Sequence, residues 1–148
     1  MKISTKGRYG LRVMVDLALY DNGEYISLSD ISAREDISMK YLEQIMRLLV
    51  NSKMVKSLRG SNGGYRLADK AENYSVLMVL EACEGDLTPV ECIADKQYCT
   101  RCSSCTTYSF WQELDDYLKD YLSKKSIKDI ADKARNYDYI IFQVSTTD

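Results

Sequence analysis

The chain has 148 residues, 45% hydrophobic and 28% charged, with a net charge of −2. That is the balance of one small domain, or of a domain with an appendage, and no apolar run is long enough to span a bilayer. Five cysteines and no histidine exclude mixed Cys/His metal sites and leave no imidazole as a general base, so no enzyme is expected.

Charge is unevenly spread. Residues 1–68 carry 11 Lys/Arg against 7 Asp/Glu, and the remainder 9 against 15. A basic head on an acidic body suits a protein that presents one face to phosphates. The N-terminal stretch lacks the apolar core of a signal peptide, so a cytoplasmic location is expected. In that reducing compartment clustered cysteines bind metal or sense redox state more often than they form disulfides.

Leu11, Met14, Val15 and Ala18 recur at i, i+3, i+4 and i+7, which predicts a helix over 5–20. The turn residues Asp21-Asn22-Gly23 end it. Ser27 is placed to cap a short helix from Leu28 to about Glu35. Ser38 is placed to cap a longer one from Met39 to about Asn51, with Leu42, Ile45, Met46 and Leu49 on one face. Only Asp36-Ile37-Ser38 separates the two, the outline of a helix-turn-helix. Residues 55–59 and 65–67 then read as strands around Gly60-Ser61-Asn62-Gly63-Gly64, a glycine-rich turn. A helix pair followed by a hairpin is a winged helix. Its candidate DNA contacts are Lys40, Tyr41, Glu43, Gln44 and Arg47 in the leading half of the second helix, and Arg59, Ser61 and Asn62 at the wing tip. Arg66 also flanks the tip, and Lys53 and Lys56 lead into it.

Ser75 is placed to cap a helix whose apolar stripe, Val76, Val79, Leu80 and Cys83, buries Cys83 as a small hydrophobe. After Pro89, residues 90–105 show little periodicity but carry Cys92, Cys99, Cys102 and Cys105, spaced C-x6-C-x2-C-x2-C. Clustered thiolates are soft ligands that favour iron–sulfur clusters, zinc or copper(I). A long amphipathic helix is predicted from about residue 106, with Trp111, Leu114, Leu118, Tyr121 and Lys125 near heptad spacing. Such a stripe packs either on its own body or on a second copy. Ser126 is placed to cap a shorter helix over 127 to about 134, and 139–144 read as a strand before a polar tail.

The opening Met-Lys-Ile-Ser-Thr-Lys-Gly-Arg-Tyr-Gly, the Tyr-Leu-Glu-Gln at 41–44, the wing Val-Lys-Ser-Leu-Arg-Gly-Ser-Asn-Gly-Gly-Tyr-Arg-Leu at 55–67 and the step from Cys105 to Trp111 resemble the IscR/NsrR/CymR family of bacterial winged-helix regulators. The resemblance covers roughly residues 1–135. It implies a mainly α fold with a small β-hairpin wing: a winged helix-turn-helix domain (1–83), a cysteine-rich loop (84–105), and a dimerisation helix with a C-terminal segment (106–148). It also implies a homodimer on a palindrome-like double-stranded DNA operator, with neither membrane nor small-molecule substrate as partner. Cysteine-bearing members hold an iron–sulfur cluster on three cysteines, which match Cys92, Cys99 and Cys105; the CymR branch lacks this trio. The IscR type adds a histidine three residues after the last cysteine, where this chain has Tyr108. Other members use an acid near the start of the partner's first helix, and residues 4–10 hold none. Cys102 is therefore the candidate fourth ligand.

These expectations lead to a dimeric transcription regulator that senses iron–sulfur or redox status and controls cluster-biogenesis genes, with 2Fe–2S placed ahead of 4Fe–4S. The alternatives are a nitric-oxide or redox sensor carrying 4Fe–4S, a zinc–thiolate protein, and an electron-transfer or cluster-carrier protein using the same cysteines.

Overall fold

The computed structural model describes residues 2–145, with side chains through residue 137. Its helices are α1 (Thr5–Leu19), α2 (Leu28–Glu35), α3 (Met39–Asn51), α4 (Val76–Glu84), α5 (Glu91–Ala94), α6 (Tyr108–Ser123) and α7 (Ile127–Ser145), with strands β1 (Val55–Leu58) and β2 (Gly64–Leu67) between α3 and α4. Mainly α with a two-stranded wing is the architecture expected.

The core is built around α1. Val13, Met14 and Leu17 are fully buried, as are Leu42, Ile45, Met46 and Leu49 on the inner face of α3. Each such side chain contributes roughly 1.5–3 kcal/mol by leaving water. Helix α1 packs chiefly on α4 and α7. It approaches α4 closely at Gly10, where a Cβ would run into the Cys83 sulfur. Burial, with Glu84 beside it, pushes the Cys83 thiol up to about 11, so this cysteine stays neutral and packs as a hydrophobe.

Helix α2 is fixed to α1 by a buried carboxylate. Asp16 is 1% exposed and accepts two hydrogen bonds from Arg34, from Nε and Nη2, each at 2.8 Å. The guanidinium also lies 4.0 Å from the Tyr20 ring centroid, so Arg34 is satisfied on its edge and its face. Between α2 and α3, Asp36 takes the left-handed conformation at φ 52° while Ile37 turns into the core. The Ser27 and Ser38 hydroxyls accept from the Asp30 and Tyr41 amides, as their positions predict.

Strands β1 and β2 pair antiparallel, with Val55 opposite Leu67 and Leu58 opposite Gly64. Ile26 bridges to Tyr65 and stitches the wing to the turn before α2. Gly64 is needed for that approach, because a Cβ there would strike the Ile26 carbonyl.

The segment 90–105, which shows little periodicity in the sequence, contains the short α5 and a 3-10 turn over Cys102–Ser104. Residues 139–144 are not a strand but continue α7 to Ser145. No glycine or proline interrupts 127–145, so a helix already nucleated adds one hydrogen bond per residue, whereas a lone strand would leave its backbone groups unpaired. The polar tail beyond residue 145 lies outside the described residues.

Candidate functional site

The head presents its recognition helix much as the sequence predicts. Lys40, Glu43, Gln44 and Arg47 on α3 are exposed, opposite the face that buries Leu42, Ile45 and Met46. Tyr41 is placed differently. Its ring packs edge-on against Tyr9 of α1, with centroids 5.8 Å apart, and is half-buried against the core. Between α3 and the wing lies an open cleft of about 330 Å³ lined by Glu43, Met46, Arg47, Asn51, Ser57 and Tyr65.

At the wing tip Arg59, Ser61 and Asn62 are exposed, and Gly60 turns the chain with φ 110°. Arg66 is already engaged. Its Nη1 donates to the Gly23 carbonyl at 2.9 Å and its guanidinium lies 5.3 Å from the Tyr25 ring centroid. Lys56, its cross-strand neighbour, is exposed. Lys40, Arg47, Lys53, Lys56 and Arg59 are all exposed, whereas Arg66 braces the wing.

The cysteine loop leaves the end of α4 and enters α6. Cys92, at α5, and Cys99 and Cys102 beyond it are half-buried, while Cys105 is exposed. Partial desolvation, then the neighbouring Cys99 and Cys92, push the Cys102 thiol up. Cys105 turns toward Thr107, with its sulfur 3.4 Å from the hydroxyl oxygen. That contact first, then the Thr107 and Tyr108 amides and the charge of Arg101, hold the Cys105 thiol below its ordinary value.

Among the described residues no three Cys, Asp or Glu side chains converge closely enough to hold a metal ion as they stand. The donor chemistry nevertheless fits a soft metal group, with four thiols in fourteen residues. Cys99 and Cys102 line a cavity of about 570 Å³ together with Tyr108. The Tyr108 hydroxyl is itself shielded from solvent and has no hydrogen-bond partner among the described residues.

One linking residue escaped the sequence reading. Glu84, the last residue of α4, accepts on one oxygen from the Ser4 amide at 3.0 Å, the Ser4 hydroxyl at 2.6 Å and the Gly7 amide at 2.8 Å. It ties the point where the cysteine loop begins to the start of α1. An acid in the last turn of a helix opposes the helix dipole, and that misfit was the available signal.

A helix-turn-helix braced by a hairpin, with an exposed polar recognition helix, defines a winged-helix DNA-binding transcription regulator. The family described as "Rrf2: Iron-dependent Transcriptional regulator" matches residues 3–133, and the chain belongs to that family. Protein rrf2 of Nitratidesulfovibrio vulgaris is 40% identical over 113 residues, 76% of this chain and 75% of that protein. The structure of CymR (YrzC), the global cysteine regulator of B. subtilis, matches with a TM-score of 0.74 at 34% identity, covering 90% of this chain and 98% of that one. The structure of T. potens IscR matches with a TM-score of 0.72 at 30% identity, covering 90% and 88%. The relatives are regulators, not enzymes. No helix among the described residues is long and apolar enough to cross a membrane.

Proposed function

We propose that this regulator is a cytoplasmic homodimer whose affinity for a double-stranded operator depends on an iron–sulfur cluster held by its cysteine loop. Cys92, Cys99 and Cys105 are the ligands carried over from the family resemblance, and Cys102 is the fourth. A 2Fe–2S cluster is preferred to 4Fe–4S, and cluster-biogenesis genes are the proposed targets. DNA contacts are assigned to Lys40, Glu43, Gln44 and Arg47 on α3 and to Arg59, Ser61 and Asn62 on the wing. Tyr41 acts mainly by packing. The division into head (1–83), cysteine loop (84–105) and dimer segment (106–148) belongs to the same reading.

The observation that carries the reading is the position of the thiols. They occupy the one connection between the DNA-reading head and α6, and Glu84 holds the base of that connection against α1. The fold by itself is neutral on this point, since a cysteine regulator shares it. Helix α6 leaves Phe110, Tyr117 and Tyr121 exposed and fully buries only Asp115, which supports a second copy as the cover for its apolar side. When bound, the cluster supplies a one-electron, oxygen-sensitive centre. The chain's own part is mechanical. Thiolates gathered around the group fix the loop between α4 and α6, and that fixes how the two heads are held for DNA.

Anaerobic purification with iron, sulfide and zinc counts and absorption spectra tests this reading. Iron and sulfide bound in stoichiometric amounts, and lost or spectrally altered in Cys102→Ala, are expected. An unchanged cluster in Cys102→Ala would remove Cys102 from the ligand set. Zinc without sulfide would overturn the cluster.

A further inference from the structure

Cys99 and Cys102 are brought together by a turn of the backbone. The Cys102 N–H donates to the Cys99 carbonyl at 3.2 Å, and the turn so closed leads straight into the 3-10 turn over Cys102–Ser104. Such a closure holds its first and last Cα atoms within about 7 Å, and a disulfide spans Cα atoms about 4.4–6.8 Å apart. Both side chains are half-buried, both thiols are free, and both line the open cavity of about 570 Å³. The other two clustered cysteines are turned differently. Cys92 presents its carbonyl oxygen to the Cys102 sulfur, at 4.0 Å, and the exposed Cys105 sulfur lies 3.4 Å from the Thr107 hydroxyl. Spacing alone does not separate the pair Cys99–Cys102 from Cys102–Cys105, since both are C-x2-C. The fold does.

We propose that Cys99 and Cys102 are a modification site of the cluster-free chain, a dithiol that a small peroxide oxidises to a disulfide. The site stands apart from the cluster reading, because it needs two thiols and no metal. One thiol attacks the peroxide, the O–O bond breaks, and water leaves a sulfenic acid behind. The second thiol attacks that sulfur, the S–S bond forms, and the hydroxyl departs as a second water. With hydrogen peroxide the two sulfurs together give up two electrons, and the peroxide oxygens take up those electrons and both thiol protons. The open cavity admits a reagent of that size to both side chains. Once formed, the disulfide withdraws both sulfurs from metal binding, and small thiols return it to the dithiol by exchange.

The test treats the reduced, cluster-free full-length chain with a stoichiometric amount of hydrogen peroxide, alkylates the remaining thiols and maps tryptic peptides by mass spectrometry. Arg101 lies between the two cysteines, so a Cys99–Cys102 bond joins two peptides, whereas a Cys102–Cys105 bond stays within one. The joined peptides are expected in severalfold excess over any other bond, with Cys83, Cys92 and Cys105 alkylated. Cys92→Ser and Cys105→Ser should keep the link, and Cys102→Ser should lose it. In guanidinium chloride, where the turn is gone, Cys99–Cys102 and Cys102–Cys105 bonds should form in comparable amounts, because the two loops are equally long. Comparable amounts of the two bonds in the folded chain would overturn the proposal. So would a link that survives Cys102→Ser, or alkylation of all five thiols after peroxide.

Discussion

Glu84 shows how one side chain links the cysteine loop to the DNA-reading head. Burial works against its charge, but donation from the Ser4 hydroxyl and from the Gly7 and Ser4 amides, helped by Lys6, outweighs that and holds its carboxyl below the ordinary value. A depressed carboxylate adds stability that is fully present above the unfolded value of about 4.3 and is lost as pH falls through the lower folded value. Glu84→Ala should therefore cost about 2 kcal/mol near neutral pH, and should cost progressively less below about pH 4. Denaturant melts at several pH values check both the size and the slope. A penalty that stays constant from neutral pH to well below pH 4 would mean that Glu84 acts through packing alone. At this scale the sequence was readable wherever the cause was local. Ser27, Ser38, Ser75 and Ser126 each accept a hydrogen bond from the amide three residues on, as their spacing predicts. Glu84, Asp16 and Tyr108 were not readable, because their partners or neighbours lie elsewhere in the chain or, for the Tyr108 hydroxyl, because its isolation appears only in three dimensions.

Among elements, the recognition helix and the wing are the clearest match between pattern and structure. The periodicity of α3 alone separates the buried face from the exposed one. What periodicity could not show was which exposed-looking residues had already been claimed. Tyr41 is drawn inward by Tyr9, and Arg66 is held by the Gly23 carbonyl and Tyr25. The two wing arginines should therefore behave differently. Arg59→Ala should weaken binding to a mixed-sequence duplex severalfold at low salt and reduce the salt slope by about one, without changing the melting temperature. Arg66→Ala should lower the melting temperature and leave the slope near that of wild type. Fluorescence titrations over a range of salt concentrations decide this, and equal slopes for wild type and Arg59→Ala would remove Arg59 from the DNA face. The 139–144 segment carries the opposite lesson. It reads as a strand in the sequence, but it continues α7, whose backbone hydrogen bonds need no second strand.

At the scale of the whole molecule, residues 1–68 are net basic and residues 69–148, which include the thiol-rich loop, are net acidic, a division that the chain's net charge of −2 conceals. The head's architecture was legible because helix capping, periodicity and glycine placement are short-range signals. The cysteine site was legible only as a set of donors, since their arrangement depends on how α4, α5 and α6 meet around the loop. Coupling between that loop and DNA is the central claim, and it requires a difference in affinity between two states of one protein. Duplexes enriched from a random pool, separately by anaerobically loaded and by cluster-free full-length protein, should each be titrated with both forms at one fixed salt concentration. At least one enriched duplex should distinguish the two forms by about tenfold or more. Equal affinity of loaded and cluster-free protein for every enriched duplex would contradict it.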